Sequence, residues 1–233
     1  SSFSFQWDKA LYKSITSFSG WSLAGSLSHT MITQGSNVII NIFFGPSVNA
    51  SRAVSVQVNA AITTFVENFR KAANPQIVKY FAAGEAEKMR RLSIVTTKFS
   101  YYLLLLLALP VLFETQIILK TWLGNTPAYA VSFIKLTLVY ALISVFDTSL
   151  YFVFNAIGRI KENSIISPIV NIWVIPISFF LFKFGYSPFA LYYVLIVNAS
   201  ILSFIVKPIL LYRYAGFQFK DFYNIFLPCM VVT

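Results

Sequence analysis

Histidine, cysteine and charged residues are scarce in this chain of 233 residues. It holds one histidine, His29, and one cysteine, Cys229, and only 11% of its residues are charged. A single cysteine permits no internal disulfide, and one histidine with one cysteine is too little for the usual four-ligand zinc site. The sequence offers no credible Ser-His-Asp arrangement and no glycine-rich phosphate loop. It therefore predicts neither a catalytic nor a metal site, and we expect no cofactor and no enzymatic activity.

Apolar residues dominate the composition. Hydrophobic residues make up 57% of the chain and the mean hydropathy is +0.70, whereas a soluble domain carries about 25% charged residues. Apolar stretches of the roughly 20 residues that cross a bilayer recur along the chain. They cover residues 18–44, 48–80, 92–119, 128–157, 165–184 and 189–211. The pattern predicts an all-α protein, a polytopic membrane helix bundle of about six transmembrane helices.

Three segments follow from this pattern. Residues 1–17 are typical of an amphipathic interfacial helix, because apolar side chains such as Phe3 and Trp7 recur on one face. Residues 18–216 would form the six-span unit, and residues 217–233 would begin a further span that is truncated. Because it has no initiator methionine and no signal peptide, and ends in an apolar run, we expect the chain to be a fragment of a longer protein.

The net charge of +10 would suit a nucleic-acid ligand, but the positions of the basic residues indicate otherwise. With the N-terminus placed in the cytoplasm, eleven lysines and arginines lie at the cytoplasmic ends of the spans and three at the opposite ends. The eleven are Lys9, Lys13, Lys79, Lys88, Arg90, Arg91, Arg159, Lys161, Lys207, Arg213 and Lys220, and the three are Arg52, Lys120 and Lys183. The positive-inside rule describes this excess, so we expect a lipid bilayer as partner and no nucleic acid.

Polar side chains form a stripe along the second span. They recur at steps of three or four residues and so lie on one face of a helix. The stripe consists of Arg52, Ser55, Asn59, Thr63, Glu67, Arg70 and Asn74. A charged side chain in hydrocarbon costs about 2.5–3.5 kcal/mol, so we expect the stripe to face protein or water, as the wall of a transporter cavity does. Two alternatives stay open, since Glu67 and Lys71 have the spacing of an intrahelical pair, and Arg52 could simply anchor the helix at the membrane interface.

Two further features accompany the stripe. The break at Gly45-Pro46 predicts that the first two spans form a tight helical hairpin. The fourth span carries Asp147 near its middle. Asp147 and Glu67 are the candidates for binding a coupling ion, but Asp147 could instead pair with Lys135 or with another span.

Several runs within residues 18–92 resemble one transporter family. They are residues 20–26 (GWSLAGS), 34–37 (QGSN), 41–45 (NIFFG), 48–53 (VNASRA) and 74–79 (NPQIVK). These runs resemble the start of the second half of a lipopolysaccharide O-antigen flippase (Wzx type). Such flippases belong with the multidrug and toxin extrusion (MATE) proteins and the lipid II flippases in one superfamily. Beyond residue 92 the resemblance continues to residue 216 only as a similar hydropathy profile.

The resemblance implies a transporter of two six-helix lobes, with this chain as most of the C-terminal lobe of a MATE-like fold. It implies an N-terminal lobe as partner and an undecaprenyl-pyrophosphate-linked oligosaccharide as cargo, flipped across the bacterial inner membrane for polysaccharide biosynthesis. The first two spans of this lobe line the central cavity in the family. They hold the candidate cavity residues Gln34, Asn37, Arg52, Asn59, Thr63, Glu67, Arg70, Lys71 and Asn74.

Two other functions stay open at the level of the sequence. A cation-coupled multidrug exporter of the MATE type would share the fold, but its cavity should be anionic or aromatic rather than cationic. A membrane-embedded glycosyltransferase, polymerase or ligase would need a large soluble loop with carboxylates or histidines, and this chain has only short polar loops. The sign of the charge in the cavity therefore discriminates between the two transport functions.

Overall fold

The structure, a computed structural model, describes residues 9–233, and its regular structure there is entirely helical. The helices are α1 (Lys9–Ala82), α2 (Ala86–Leu123), α3 (Ala130–Ala156), α4 (Ile160–Asn171), α5 (Val174–Lys183), α6 (Ala190–Ser200), α7 (Lys207–Ala215) and α8 (Phe219–Val232), and a π-helical segment, Ile201–Val206, joins α6 to α7. No strand occurs within residues 9–233, which confirms the all-α prediction. Of the predicted interfacial helix, residues 1–8 lie outside the described residues, and residues 9–17 form the beginning of α1.

Helix α1 consists of two helices joined by a sharp kink at Gly45. The backbone there has φ 80° and ψ 176°, a conformation that glycine adopts readily and other residues do not. In an unbroken helix, residues 37 and 52 would lie about 22 Å apart, yet the Arg52 guanidinium donates a hydrogen bond to the Asn37 amide oxygen. The chain therefore folds back at Gly45, as the sequence predicted. We call residues 9–44 the first arm and residues 46–82 the second arm.

The chain crosses the bundle six times between its two ends, counted over residues 9–233. The turns at the first end contain Gly45, Gly124 and Gly185, and those at the second end contain Gly84, Gly158 and Gly216. At the first end, Phe44 packs edge-on against Phe182 with ring centroids 4.8 Å apart. At the second end, Arg90 donates a hydrogen bond to the Gly216 carbonyl oxygen. Successive turns thus alternate between the ends, as the crossings of a multi-pass bundle require.

Four of these crossings, within the described part of the chain, are long and apolar enough to span a membrane. They are Ala86–Leu123, Ala130–Ala156, Ile160–Lys183 and Ala190–Ala215. The prediction of a multi-pass membrane helix bundle is thereby confirmed. The two arms of α1 are not among these four crossings because their hydropathy is lower. The polar stripe lowers it in the second arm, and serines and asparagines lower it in the first arm.

Proline lies close to an irregularity in three of the four apolar crossings. In the first of them, Glu114 departs from helical φ and ψ four residues after Pro110. Helices α4 and α5 are separated at residues 172–173, between Pro168 and Pro176. In the last of the four, the π-helical segment precedes α7, whose second residue is Pro208. Proline lacks a backbone N–H, and its ring collides with the carbonyl four residues earlier, so the regular hydrogen-bond pattern cannot run through it unchanged. Lys207, the first residue of α7, therefore lies next to irregular backbone.

Helix α3 lies at the centre of the bundle. It packs against α1, α2, α4, α6 and α7, and buried apolar side chains occur along its whole length. Phe146 stacks on Tyr101 of α2 at 5.0 Å and meets Phe226 of α8 edge-on at 5.2 Å. Helix α8 docks on this cluster through a face that includes the buried Cys229. The central position of α3 brings its polar residues within reach of several helices at once.

Candidate functional site

Two polar cavities lie side by side within the bundle. The larger, about 530 Å³, is lined by both arms of α1, by α3 and α4, and by the first residue of α7. The smaller, about 310 Å³, is lined by both arms, α3, α6 and the end of α4. Asp147, Thr148 and Asn171 line both cavities, which therefore meet beside the middle of α3.

The guanidinium of Arg70 points into the bundle. Arg70 is only 6% exposed, and its Nη1 donates hydrogen bonds to the hydroxyls of Thr148 and Ser149, the second at 3.5 Å. Its guanidinium carbon lies 5.9 Å from the ring centroid of Phe152. Within residues 9–233, Arg70 forms no ion pair and its Nε has no hydrogen-bond partner. In this part of the chain the guanidinium therefore carries a buried donor without a partner and a positive charge without a counter-ion at ion-pair distance.

Glu67 and Lys71 lie at the mouth of the larger cavity. Their charged atoms are 4.0 Å apart, and the side chains are 52% and 66% exposed. The intrahelical pair that their spacing indicated is therefore present. Because an exposed helical pair contributes only about 0.3–0.5 kcal/mol, it leaves both groups available to a ligand.

A buried ion pair that the sequence did not identify lies where the two cavities meet. The Lys207 ammonium is 3.2 Å from Oδ1 of Asp147, and Lys207 is 1% exposed. The ammonium also donates a hydrogen bond to the Asn163 amide oxygen and lies 5.4 Å and 5.2 Å from the ring centroids of Tyr151 and Phe154. The prediction that Lys207 lies with the basic residues at the cytoplasmic end of its span was wrong, because α7 begins inside the bundle and Lys207 is buried there.

Asp147 thus pairs with another span and not with Lys135, which is exposed. The sequence had left both partners open. The signal that could have identified Lys207 is its position directly after the apolar run 201–206 and before a proline, on a span with no other charge near its middle. The pairing does not remove Asp147 from the cavities, since its side chain is still 23% exposed and lines both.

Arg52 joins a polar chain beside the smaller cavity. It is 5% exposed, and its Nη1 donates a hydrogen bond to the Asn37 amide oxygen. The Asn37 amide nitrogen donates in turn to Oε1 of Gln34 at 3.1 Å. Three of the candidate residues are therefore brought together, and Arg52 faces the interior of the bundle rather than serving only as an interfacial anchor.

A hydroxyl cluster holds this part of the second arm against its neighbours. The Thr137 hydroxyl donates a hydrogen bond to the Ser55 oxygen at 3.1 Å, and the hydroxyls of Ser55 and Tyr192 are 3.2 Å apart. Thr137 lies on α3 and Tyr192 on α6, so the cluster joins three helices around the smaller cavity. This packing keeps the polar stripe turned toward the interior.

The remaining stripe residues differ in their positions. Asn59 lines the smaller cavity, whereas Thr63 and Asn74 line neither. The Thr63 hydroxyl donates to the Asn59 backbone carbonyl at 2.8 Å, so it is satisfied within its own helix. Asn74 is partly buried, and its amide oxygen has no hydrogen-bond partner within residues 9–233. The side chain of His29 lies outside the described side chains.

An asparagine pair lies between the smaller cavity and an apolar groove. Asn198 of α6 donates a hydrogen bond at 2.7 Å to the amide oxygen of Asn171, the last residue of α4. Asn198 lines both the smaller cavity and a groove of about 550 Å³ between α4–α5 and α6. The groove is otherwise lined by apolar and aromatic side chains such as Trp173 and Val197. Asn198 therefore lies between the polar interior and an apolar surface.

No protein-family model, curated protein or solved structure matches this chain. Its function must therefore be argued from the residues of the site. The larger cavity brings together three cations, two carboxylates and many hydroxyl and amide groups inside a bundle of apolar helices. Such a lining suits the binding of a polar anionic ligand.

Proposed function

We propose that this chain is one lobe of a transporter that moves an undecaprenyl-pyrophosphate-linked oligosaccharide, such as an O-antigen unit, across the bacterial inner membrane by alternating access. The observation that carries the proposal is a cationic polar cavity inside an apolar helix bundle. In the larger cavity, Arg70, Lys71 and Lys207 face Glu67 and Asp147. Ionisable groups are rare inside membrane bundles and mark substrate pathways when they occur.

The cations suit the pyrophosphate of such a cargo. A guanidinium donates two parallel hydrogen bonds to a phosphate group from its planar fork. Arg70 lines the larger cavity and forms no ion pair in the described part of the chain. Lys71 adds a positive charge at the mouth of the same cavity. We therefore assign the pyrophosphate to the larger cavity.

The remaining surfaces suit the other two parts of the cargo. Hydroxyl and amide groups of Ser22, Ser167 and Asn171 line the larger cavity and can hydrogen-bond to sugars. The apolar groove between α4–α5 and α6 suits the polyisoprenoid chain. Because Asn198 lines both the groove and the smaller cavity, the lipid chain could stay in contact with the bilayer while the head group entered the polar interior.

A second lobe is part of this proposal. Four crossings are long and apolar enough to span a membrane. In the proposal the two arms of α1 span it as well, with their polar faces toward the cavities. The exposed side chains of Glu67 and Lys71 would then face the N-terminal lobe across a central pathway. Rocking of the two lobes about that pathway would expose the cargo to each side of the membrane in turn.

The charge of the cavity argues against a cation-coupled multidrug exporter. Such a cavity should be anionic or aromatic, whereas three cations face two carboxylates here, and Asp147 is already paired with Lys207. A membrane-embedded glycosyltransferase or polymerase is a weaker alternative. The helices within residues 9–233 are joined by short turns, which provide no soluble domain for catalysis.

We expect the first end of the bundle to face the periplasm. Lysines and arginines are concentrated at the second end, and the positive-inside rule assigns such an end to the cytoplasm. In a cysteine-free background, single cysteines near Gly45, Asn125 and Tyr186 should react with a membrane-impermeant maleimide added to intact cells. Cysteines near Gly84 and Lys161 should stay unlabelled until the cells are lysed. The reverse pattern would invert the orientation.

The proposed function predicts that the complete protein restores surface polysaccharide to a strain that lacks its own O-antigen flippase. Surface glycan is read on a gel and transporter abundance by immunoblot. A parallel assay of ethidium resistance in a strain without drug exporters tests the alternative. Restored glycan without added resistance supports the flippase. Added resistance without restored glycan would overturn it in favour of the exporter.

A further inference from the structure

We infer that Asp147 and Lys207 form an exchangeable ion pair, in which a phosphate group that enters the larger cavity replaces the Asp147 carboxylate at the Lys207 ammonium. The ligand class is a phosphate or pyrophosphate ester. The inference rests on the proposed function for the source of that group, a lipid-linked glycan. It deepens that function by naming the residue that receives the phosphate and the residue that displaces it again.

The Lys207 ammonium is held in place even without the carboxylate. It is buried, donates a hydrogen bond to the Asn163 amide oxygen and lies beside the rings of Tyr151 and Phe154. An ammonium has three N–H donors, and Asn163 takes one of them, whereas Asp147 lies at ion-pair distance and its Oδ1 accepts no hydrogen bond within residues 9–233. Lys207 therefore presents a fixed positive charge in the wall of the larger cavity.

Asp147 is the partner that can leave. Its side chain is 23% exposed and lines both cavities, whereas the Lys207 side chain is 1% exposed. A carboxylate that turns into a polar cavity regains hydration, but a buried ammonium without a counter-charge does not. An anion that arrives as the carboxylate departs keeps Lys207 neutralised. The exchange therefore avoids the cost of an unpaired buried charge.

Arg70 provides a second cation, beside the turn of α3 that carries Asp147. Its guanidinium donates to the hydroxyl of Thr148, the residue next to Asp147, and both Arg70 and Lys207 line the larger cavity. A pyrophosphate has two phosphate groups, which suits two cations that come from different helices. Arg70 lies on the second arm of α1 and Lys207 on α7, so one ligand would bridge the two helices across α3.

The exchange would give the transporter a means of releasing its cargo. A transport site must bind strongly enough for entry and weakly enough for exit. A carboxylate that competes for the same ammonium weakens the bound state and refills the site after the cargo leaves. Loss of the Asp147 charge should therefore strengthen phosphate binding. An ion pair that only ties α3 to α7 would not have this effect.

The test measures binding of inorganic pyrophosphate to the complete protein in nanodiscs by isothermal titration calorimetry. Asp147→Asn keeps the size and the polar oxygen of the side chain but removes the competing charge, and it should bind about tenfold more tightly than wild type. Lys207→Gln should bind about tenfold more weakly. Glu162→Gln is the matched control, because Glu162 pairs with Arg159 outside both cavities, and its affinity should equal that of wild type.

Two further arms identify the source of the phosphate. Undecaprenyl pyrophosphate placed in the same nanodiscs should compete with inorganic pyrophosphate, whereas absence of competition would assign the site to a free anion and reject the lipid. In cells, Asp147→Asn should export glycan more slowly than wild type despite its tighter binding. Faster or unchanged export would contradict the role of Asp147 in release.

The exchange and the proposed function can fail separately. A folded Asp147→Asn protein that binds pyrophosphate no more tightly than wild type would overturn the exchange, even if the wild type restores surface glycan. If Asp147→Asn does not fold, Asp147→Ser is measured in its place with the same expectation. The variant could bind pyrophosphate more tightly while the wild type restores no surface glycan. This result would support the exchange but contradict the glycan cargo.

Discussion

Alanine in place of Arg70 is expected to abolish export of surface polysaccharide while transporter abundance stays near that of wild type. Arg70 is a buried guanidinium beside the larger cavity, and a hydrogen bond to a charged group contributes about 1.5–3 kcal/mol. The loss of one such bond to phosphate corresponds to a fall of about tenfold to a hundredfold in cargo affinity. Arg70→Lys should restore part of the export, because it keeps the charge but not the planar fork. The measurement is complementation of a flippase-deficient strain, with glycan read on a gel and protein by immunoblot.

Arg52→Ala is the matched comparison for this prediction. Arg52 is buried to the same degree on the same helix, but it donates to Asn37 and lines the smaller cavity. It should therefore impair export less than Arg70→Ala does. Full export by a well-expressed Arg70→Glu protein would show that the cargo does not need this charge. The only role left for Glu67, Arg70 and Lys71 would then be to stabilise the helix.

Leucine in place of Asp147 should lower the free energy of unfolding by about 3–5 kcal/mol, because the Lys207 charge would be left buried without its counter-ion. The double variant Asp147→Leu/Lys207→Met should recover most of this loss, since two apolar side chains of similar size can replace a buried ion pair. The melting temperature in detergent, read by size-exclusion chromatography after heating, should fall by about 10 °C in the single variant. The melting temperature of Asp147→Asn should fall much less, because its amide keeps a polar oxygen beside the ammonium.

Glu162→Leu is the control for this second prediction. The Arg159–Glu162 pair has an N–O distance of 2.9 Å, but the Arg159 side chain is 57% exposed, and such pairs contribute about 0–1 kcal/mol. Equal melting temperatures for Asp147→Leu and Glu162→Leu would contradict a costly unpaired lysine. A double variant no more stable than Asp147→Leu would assign the loss to packing around residue 147 instead.

The polar face of the second arm could be predicted from the sequence, but the use of each residue on it could not. The helical period alone indicated that Arg52, Asn59 and Arg70 share a face, and all three are directed to the interior or to a cavity. Thr63 lies on the same face and yet lines neither of the two polar cavities. The helical period identifies which residues share a face of the helix. Whether a residue on that face lines a cavity depends on how closely the neighbouring helices pack against it.

The sequence by itself determined the all-α class, the multi-pass membrane character and the fold-back at Gly45. Each of these follows from properties that act over a few residues: hydropathy, helical period and the backbone freedom of glycine. Only the tertiary structure decided that Asp147 meets Lys207 and that Arg70 meets Thr148. Such pairs depend on the rotation and depth of each helix relative to α3, which are set by the packing of apolar faces far apart in the chain. A lysine at the end of an apolar run therefore resembles a surface residue until the packing shows that its helix begins inside the bundle.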